Sequence, residues 1–132
     1  MLVASLVRRF TPHTVFMEIG AGDCSLALLA ASYVERVYAV DPASRIAGGR
    51  LPPSNLRLVL SDEIGIPVPE GSVDLAFSAQ PTPGRMRLAH RVLAPRGIFV
   101  TSDLGAREAA RVCGFVRVRQ PWFESVLVAV KP

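Results

Sequence analysis

Apolar residues along this chain form short runs separated by turns, and two spacings alternate. Runs with the spacing of strands predict extended segments at 15–19, 36–40, 56–60, 73–78, 98–101, 115–120 and 123–130. Runs with the 3.6-residue spacing of helices predict helices at 2–10, 25–34, 86–93 and 106–112. Strands that alternate with helices, followed by a terminal strand pair, predict an α/β fold with a mostly parallel sheet that carries one antiparallel strand.

A glycine-rich turn after the first predicted strand is the most informative local feature. Residues 18–22 read Glu-Ile-Gly-Ala-Gly, and the second predicted strand ends in Asp41. Doubly wound sheets bind nucleotides beyond the carboxyl ends of their strands, where glycines let the backbone approach the ligand. A tight turn without a ligand is the alternative for Gly20 and Gly22. For Asp41 the alternative is an exposed loop acid or a helix cap.

The charge around this turn bears on which nucleotide fits. A dinucleotide-binding turn carries a third glycine where this chain has Ser25. Glu18 and Asp23 place two carboxylates in and beside the turn, and they would repel a pyrophosphate and attract a cation. S-adenosylmethionine has a sulfonium and an ammonium group and no phosphate, so the local charge favours it.

The order of the motifs resembles that of the class I S-adenosylmethionine-dependent methyltransferases. Residues 18–22 look like the first motif of that family, residues 71–78 like its fourth strand, and residues 91–97 like its turn into the fifth. The resemblance implies that Asp41 holds the ribose hydroxyls of the cofactor. The full set of cofactor-binding residues that it implies is Glu18, Gly20, Ala21, Gly22, Asp41, Pro42, Ser61, Asp62 and Ser78.

The resemblance also implies a complete architecture. We expect a doubly wound, mostly parallel seven-stranded sheet in the order 3-2-1-4-5-7-6, with the last strand antiparallel and helices on both faces. We expect residues 1–132 to form one domain of this kind, without a separate substrate domain. The connections after the fourth and fifth strands are short, so the chain looks like a minimal core of the fold.

Three carboxylates have roles that the sequence leaves open. Glu18 either contacts the amino group of the cofactor or holds the turn through backbone hydrogen bonds. Asp62 either lies beside the adenine, as the resemblance implies, or caps a helix. Asp103, just after the fifth strand, is a candidate general base for an O- or N-methyl acceptor, or a plain loop aspartate.

The methyl acceptor is the least constrained part of the interpretation. Methyltransferases that act on the exocyclic amines of bases carry an Asn/Asp-Pro-Pro-aromatic run after the fourth strand, and residues 78–82 read Ser-Ala-Gln-Pro-Thr instead. We therefore expect methyl transfer to O or N of a small molecule. A nucleic-acid methyltransferase, or a non-catalytic S-adenosylmethionine-binding subunit that acts with a partner chain, are the alternatives. Because the short connections leave the site open, we expect a homodimer or a larger partner to cover it.

Charge, apolar run length and cysteine content bear on the partners and the compartment of the protein. Residues 1–80 carry a net charge of −2 and residues 81–132 carry +6, and 14 of the 15 basic residues are arginine. This basic half could attract an anionic substrate, nucleic acid or an acidic partner, although heavy arginine use also reflects compositional bias. No apolar run reaches the roughly 18 residues that span a membrane. Two isolated cysteines, Cys24 and Cys113, suggest neither a disulfide nor a metal site, so we expect a cytoplasmic protein.

Overall fold

The computed structural model describes residues 2–132. These residues contain seven strands: β1 (Val15–Ile19), β2 (Arg36–Val40), β3 (Leu56–Val59), β4 (Val73–Phe77), β5 (Leu93–Thr101), β6 (Val116–Arg119) and β7 (Leu127–Val130). The same residues contain four α-helices: α1 (Leu2–Val7), α2 (Ser25–Ala31), α3 (Pro83–Val92) and α4 (Arg107–Val112). Short 3₁₀ turns occupy Ala47–Gly49 and Leu104–Ala106.

All seven strands form one sheet in the order β3-β2-β1-β4-β5-β7-β6. Strands β1 to β5 are parallel, with Val15 opposite Arg36 and Ile19 opposite Val40 in the central β1–β2 pair. Strand β7 runs antiparallel to β5 and to β6. This confirms the predicted fold class and strand order. The order reverses between β1 and β4, which is where ligands bind in open sheets of this kind.

Helices cover both faces of the sheet. Met86, Leu88 and Val92 of α3 pack with Met17 and Phe99 on one face, where α4 also contributes. The other face carries Leu6 of α1 and the alanines of α2, packed on Phe16, Phe77 and Val100 of the sheet and on Val126 just before β7. Adjacent residues of β1, such as Phe16 and Met17, point to opposite faces, as the two-residue repeat of a strand requires.

Several elements differ from the predicted bounds. Helix α3 begins at Pro83 rather than at 86, because the hydroxyl of Thr82 accepts a hydrogen bond from the backbone N–H of Arg85 and proline suits the first helical turn. Strand β5 begins at Leu93 rather than at 98, with a register shift that puts Arg96 in the left-handed region at φ 69°. Helices α1 and α2 and strands β6 and β7 are shorter than predicted.

The parallel strands end at one edge of the sheet, which we call the carboxyl edge. The turn at Gly20–Gly22, Asp41, Ser61 with Asp62, Ser78 and Asp103 follow β1, β2, β3, β4 and β5 in turn at this edge. The sheet thus brings the sequence-predicted residues to the same side of the molecule. Within residues 2–132, no helix has both the length and the apolar character needed to cross a membrane.

Candidate functional site

The turn of residues 20–22, called the glycine turn below, depends on glycine for its shape. Gly20 has φ 91° and Gly22 has φ 55°, both in the left-handed region that side chains disfavour. The backbone N–H of Gly20 donates to the carbonyl of Val40 at 2.6 Å, and the N–H of Ala21 donates to the same oxygen at 3.4 Å. These bonds fasten the turn to the end of β2.

Asp41 holds the same turn from the other side. Its Oδ2 accepts a hydrogen bond from the N–H of Gly22 at 3.2 Å, and its Oδ1 accepts from the N–H of Ala43 at 2.9 Å. The carbonyl of Gly22 accepts from the N–H of Arg45 at 3.0 Å. The carboxylate after β2 and the turn after β1 therefore form one hydrogen-bonded unit, and the lone pairs that Asp41 does not use remain for a ligand's hydroxyls.

The amide groups of the glycine turn are already used inside the protein. Besides those of Gly20, Ala21 and Gly22, the N–H of Cys24 donates to the carbonyl of Ala21 at 2.9 Å. Phosphate-binding turns do the opposite, since their free N–H groups point at the anion. The hydrogen bonding of this turn therefore suits a ligand without phosphate.

Carboxyl groups surround the turn. Glu18 is buried, and its desolvation raises its pKa to about 8, with a backbone hydrogen bond from Ala27 opposing the rise and the charges of Asp23 and Asp41 adding to it. The Oε1 atom of Glu18 has no hydrogen-bond partner in residues 2–132. Asp23 accepts two hydrogen bonds from Ser25, at 3.0 and 2.8 Å, and they lower its pKa. The charges of Asp23 and Asp41 would attract a cationic ligand, and such a ligand would favour the ionised form of Glu18.

The ends of β3 and β4 contribute two serines and an aspartate. Ser61 accepts a hydrogen bond from the N–H of Glu63 at 3.2 Å, so its hydroxyl shapes its own loop. Ser78 is fully buried, and its hydroxyl has no hydrogen-bond partner in the part of the chain that the structure describes. Asp62 pairs with Arg85, whose Nε lies 3.1 Å from Asp62 Oδ2. Pro42 is exposed directly after Asp41.

Arg85 belongs to this site and the sequence did not indicate it. Its side chain reaches from the first turn of α3 to the glycine turn, so that a Cβ on Gly20 would lie 2.6 Å from Nη1 of Arg85. A cavity of about 460 Å³ opens beside it, lined by further residues of the β3–β4 loop, by the cap of α3 and by α3 itself: Asp62, Glu63, Ile64, Thr82, Gly84 and Arg87. The signal that could have located Arg85 was Thr82-Pro83, a cap followed by proline, which starts α3 three residues earlier than predicted.

Asp103 lies at the carboxyl edge after β5. Its side chain is exposed, and Oδ1 accepts a hydrogen bond from the N–H of Gly105 at 2.9 Å. Its own N–H donates to the hydroxyl of Thr101 at 3.0 Å. Both hydrogen bonds are local and stabilise the loop around Asp103. The other carboxylate oxygen, Oδ2, takes part in neither of them.

An exposed aromatic pair lies at the same edge of the sheet. Thr101 is opposite Leu127 in the β5–β7 pair, so the loop before β7 leaves the sheet where β5 ends. This loop carries Trp122, which is 93% exposed, and Phe123, which is 54% exposed. We call these two residues the aromatic patch.

Comparison with known proteins agrees with this geometry. Residues 17–101 match the family model described as "Methyltransferase domain". The chain superposes with a TM-score of 0.69 and 15% identity on the chain solved in complex with the Haloferax volcanii Trm112 methyltransferase activator, covering 98% of this chain and 88% of that one. It superposes with a TM-score of 0.70 and 16% identity on the Burkholderia thailandensis 1,6-didemethyltoxoflavin-N1-methyltransferase, solved with its substrate and S-adenosylhomocysteine, covering 98% and 76%.

A third structure, the S-adenosylmethionine-dependent methyltransferase SibL, gives a TM-score of 0.68 at 17% identity, covering 99% of this chain and 53% of SibL. The chain thus spans about half the length of SibL. The residues present fit the family's cofactor, because Gly22 has open space on its Cβ side and Glu18 holds an unpartnered buried oxygen. By its sequence match and its sheet order, the chain belongs to the class I S-adenosylmethionine-dependent methyltransferase family, and its cofactor is S-adenosylmethionine.

Proposed function

We propose that this chain binds S-adenosylmethionine on the glycine turn and catalyses methyl transfer to O or N of a small-molecule acceptor. The observation that carries the proposal is the hydrogen bonding of the turn. The amides of Gly20, Ala21 and Gly22 bond within the protein, and three carboxyl groups surround them, which suits a cationic ligand without phosphate.

Each residue at the carboxyl edge has a task in this proposal. Asp41 accepts hydrogen bonds from the ribose hydroxyls while it keeps its bond to Gly22. Ser61 and Asp62 flank the adenine, Pro42 borders the ribose, and Ser78 closes the site under the reacting end. The buried Glu18 faces the ammonium group with its free oxygen.

Methyl transfer from this cofactor needs little acid–base catalysis from the protein. The cofactor, when bound, supplies an already activated methyl group, so the chain must orient the acceptor and exclude water. Asp103 has one carboxylate oxygen free of loop hydrogen bonds, and it is our candidate for taking the proton of an O- or N-acceptor.

Two of the similar structures point to different kinds of binding partner for this chain. The Burkholderia thailandensis enzyme acts on a small molecule, and the Haloferax volcanii chain is solved with an activator protein. Our second candidate function is a subunit that binds the cofactor and works only with a partner chain. The aromatic patch supports it, because a tryptophan that is 93% exposed lies at the edge that must be closed for methyl transfer. We propose a second copy of the chain or a larger partner as the cover, in the cytoplasm.

Two measurements test the proposals. Calorimetry should detect S-adenosylhomocysteine binding to the purified chain, and release of that product from S-adenosylmethionine in the presence of pooled small-molecule acceptors should identify the activity. Binding of NADH without binding of either methyl-donor ligand would overturn the proposed function.

Acrylamide quenching of the fluorescence of Trp122, the only tryptophan, measures whether a second copy of the chain covers the aromatic patch. Quenching that falls as chain concentration rises supports the homodimer. Quenching that does not change with concentration, in a monomer that turns over, contradicts a required cover.

A further inference from the structure

The guanidinium of Arg85 occupies the side of Gly20 that a side chain would take. A Cβ on Gly20 would lie 2.6 Å from Nη1 and 3.6 Å from Nη2 of Arg85. Arg85 comes from α3, on the opposite face of the sheet from α2, and reaches over the carboxyl edge to the turn. The glycine therefore gives space to a cation that lies directly on the turn.

Two bonds hold this guanidinium in place and leave most of its donors free. Nε donates to Asp62 Oδ2 at 3.1 Å, and Nη1 donates to the carbonyl of Gln80 at 3.3 Å. Arginine has five N–H donors, so three have no protein partner within residues 2–132. Only 16% of the side chain is exposed, so the guanidinium is largely buried beside the turn, with these donors available to a ligand.

The amino-acid end of the cofactor needs a positive group at this place. It carries an α-carboxylate as well as an ammonium group, and the charges of Asp23 and Asp41 repel that carboxylate. Among residues 2–132, Arg85 is the cation whose side chain lies against Gly20 of the turn. Arg45 reaches the turn only through its backbone N–H, and its side chain is exposed.

We propose that Arg85 binds the α-carboxylate of the cofactor through its free N–H donors and so selects ligands that carry this group. The proposal rests on the proposed function and adds a specificity residue to it. Asp62 then has a second task, since its bond to Nε fixes the plane of the guanidinium. Planar pairs of N–H groups match carboxylates in a way that a lysine cannot.

The test compares three ligands on three proteins by calorimetry. The ligands are S-adenosylhomocysteine, its decarboxylated analogue, which keeps the amine, and 5′-methylthioadenosine, which lacks the amino-acid end. The proteins are wild type, Arg85→Met and the matched control Arg45→Met. Wild type should prefer S-adenosylhomocysteine over the decarboxylated analogue by about tenfold or more. Arg85→Met should lose this preference, Arg45→Met should keep it, and Arg85→Lys should keep part of it.

The outcomes separate the two proposals. If wild type binds 5′-methylthioadenosine but shows no preference for the carboxylate, the role of Arg85 is wrong and the cofactor site stands. The role is also wrong if Arg85→Met keeps the preference, or binds all three ligands more tightly to the same extent, because the side chain then merely fills the cleft. If wild type binds none of the three, the proposed function fails and the role of Arg85 fails with it. Thermal unfolding of each variant checks that the fold is kept.

Discussion

Arg9 and Glu124, 115 positions apart in the sequence, are joined by two hydrogen bonds of 2.7 and 2.8 Å. Arg9 follows α1, and Glu124 lies in the loop that carries the aromatic patch. The carboxylate of Glu124 is buried, and its hydrogen bonds from Arg9 lower its pKa to about 2. The pair thus fixes the β6–β7 loop at the carboxyl edge against the N-terminal helix.

Removing Arg9 should leave a buried carboxylate without its main partner. We expect Arg9→Met to lower the free energy of unfolding at pH 7 by about 3 kcal/mol, as for other broken buried pairs. Arg111→Met is the control, because its pair with Glu108 is exposed and 3.9 Å long, and it should cost less than about 1 kcal/mol. Urea unfolding measures both, and equal losses in the two variants contradict this account.

The low pKa of Glu124 also predicts a dependence on pH. The group is charged in the folded chain down to about pH 2, whereas in the unfolded chain it takes up a proton near pH 4.5. Its stabilising contribution is therefore complete above pH 4.5 and is lost as pH falls from there towards 2. Wild type should lose more stability than Glu124→Gln over this range, and parallel losses in urea unfolding exclude the effect.

Glu18 should act in the opposite direction, because its pKa is raised from 4.5 to about 8. Between these values the folded chain keeps a proton that the unfolded chain has lost, so stability falls as pH rises from 4.5 to 8. Glu18→Gln removes this loss, which is up to about 5 kcal/mol for a rise from 4.5 to about 8. The variant should be more stable than wild type at pH 8.5 and similar at pH 4.5.

The same variant distinguishes the two roles that the sequence left open for Glu18. If Glu18 faces the ammonium group, Glu18→Gln should bind S-adenosylhomocysteine more weakly. Calorimetry in buffers of different ionisation enthalpy should then show that wild type releases a proton on binding. Unchanged affinity and no proton release would mean that Glu18 holds the turn only through the backbone.

Asp41 should be needed for cofactor affinity beyond its effect on stability. We expect Asp41→Ala to weaken S-adenosylhomocysteine binding by about 1–3 kcal/mol, since charge-assisted hydrogen bonds to the ribose are lost. Asp74→Ala is a matched control, because Asp74 accepts a backbone hydrogen bond from Val15 at 2.8 Å at the opposite end of β1. A similar loss of affinity in both variants would argue for an indirect effect through the fold.

The glycine turn allows a test that separates backbone strain from contact with Arg85. Gly20→Ala and Gly71→Ala both place a side chain at positive φ, 91° and 66°, at a backbone cost of about 1 kcal/mol. Only the Gly20 substitution meets a neighbour, Arg85, within 4 Å. We expect Gly20→Ala to lose cofactor binding and Gly71→Ala to keep it, by calorimetry. Loss in both would assign the effect to strain alone.

The sequence predicted the parts of the fold that depend on local pattern. Strands β1 and β2 have the predicted bounds, because each is an apolar run flanked by turn residues, and the family resemblance supplied the strand order. The bounds of α3 and β5 were wrong because capping by Thr82 and a register shift opposite β4 decide them. Arg85 was missed because α3 was predicted to begin at 86, and because the place of its side chain on Gly20 depends on bonds to Asp62 and Gln80 that no spacing in the sequence indicates.

The central claim is that the cofactor lies on the glycine turn, and a nitrogen–proton correlation spectrum of the labelled chain titrated with S-adenosylhomocysteine tests it most directly. The account predicts that the largest amide shifts belong to Gly20, Gly22 and Ala43, while Gly71 and Gly97, at the opposite edge of the sheet, stay in place. If the amide shifts reach a plateau but the largest ones lie away from the glycine turn, or if no amide shifts at millimolar ligand, the central claim is contradicted.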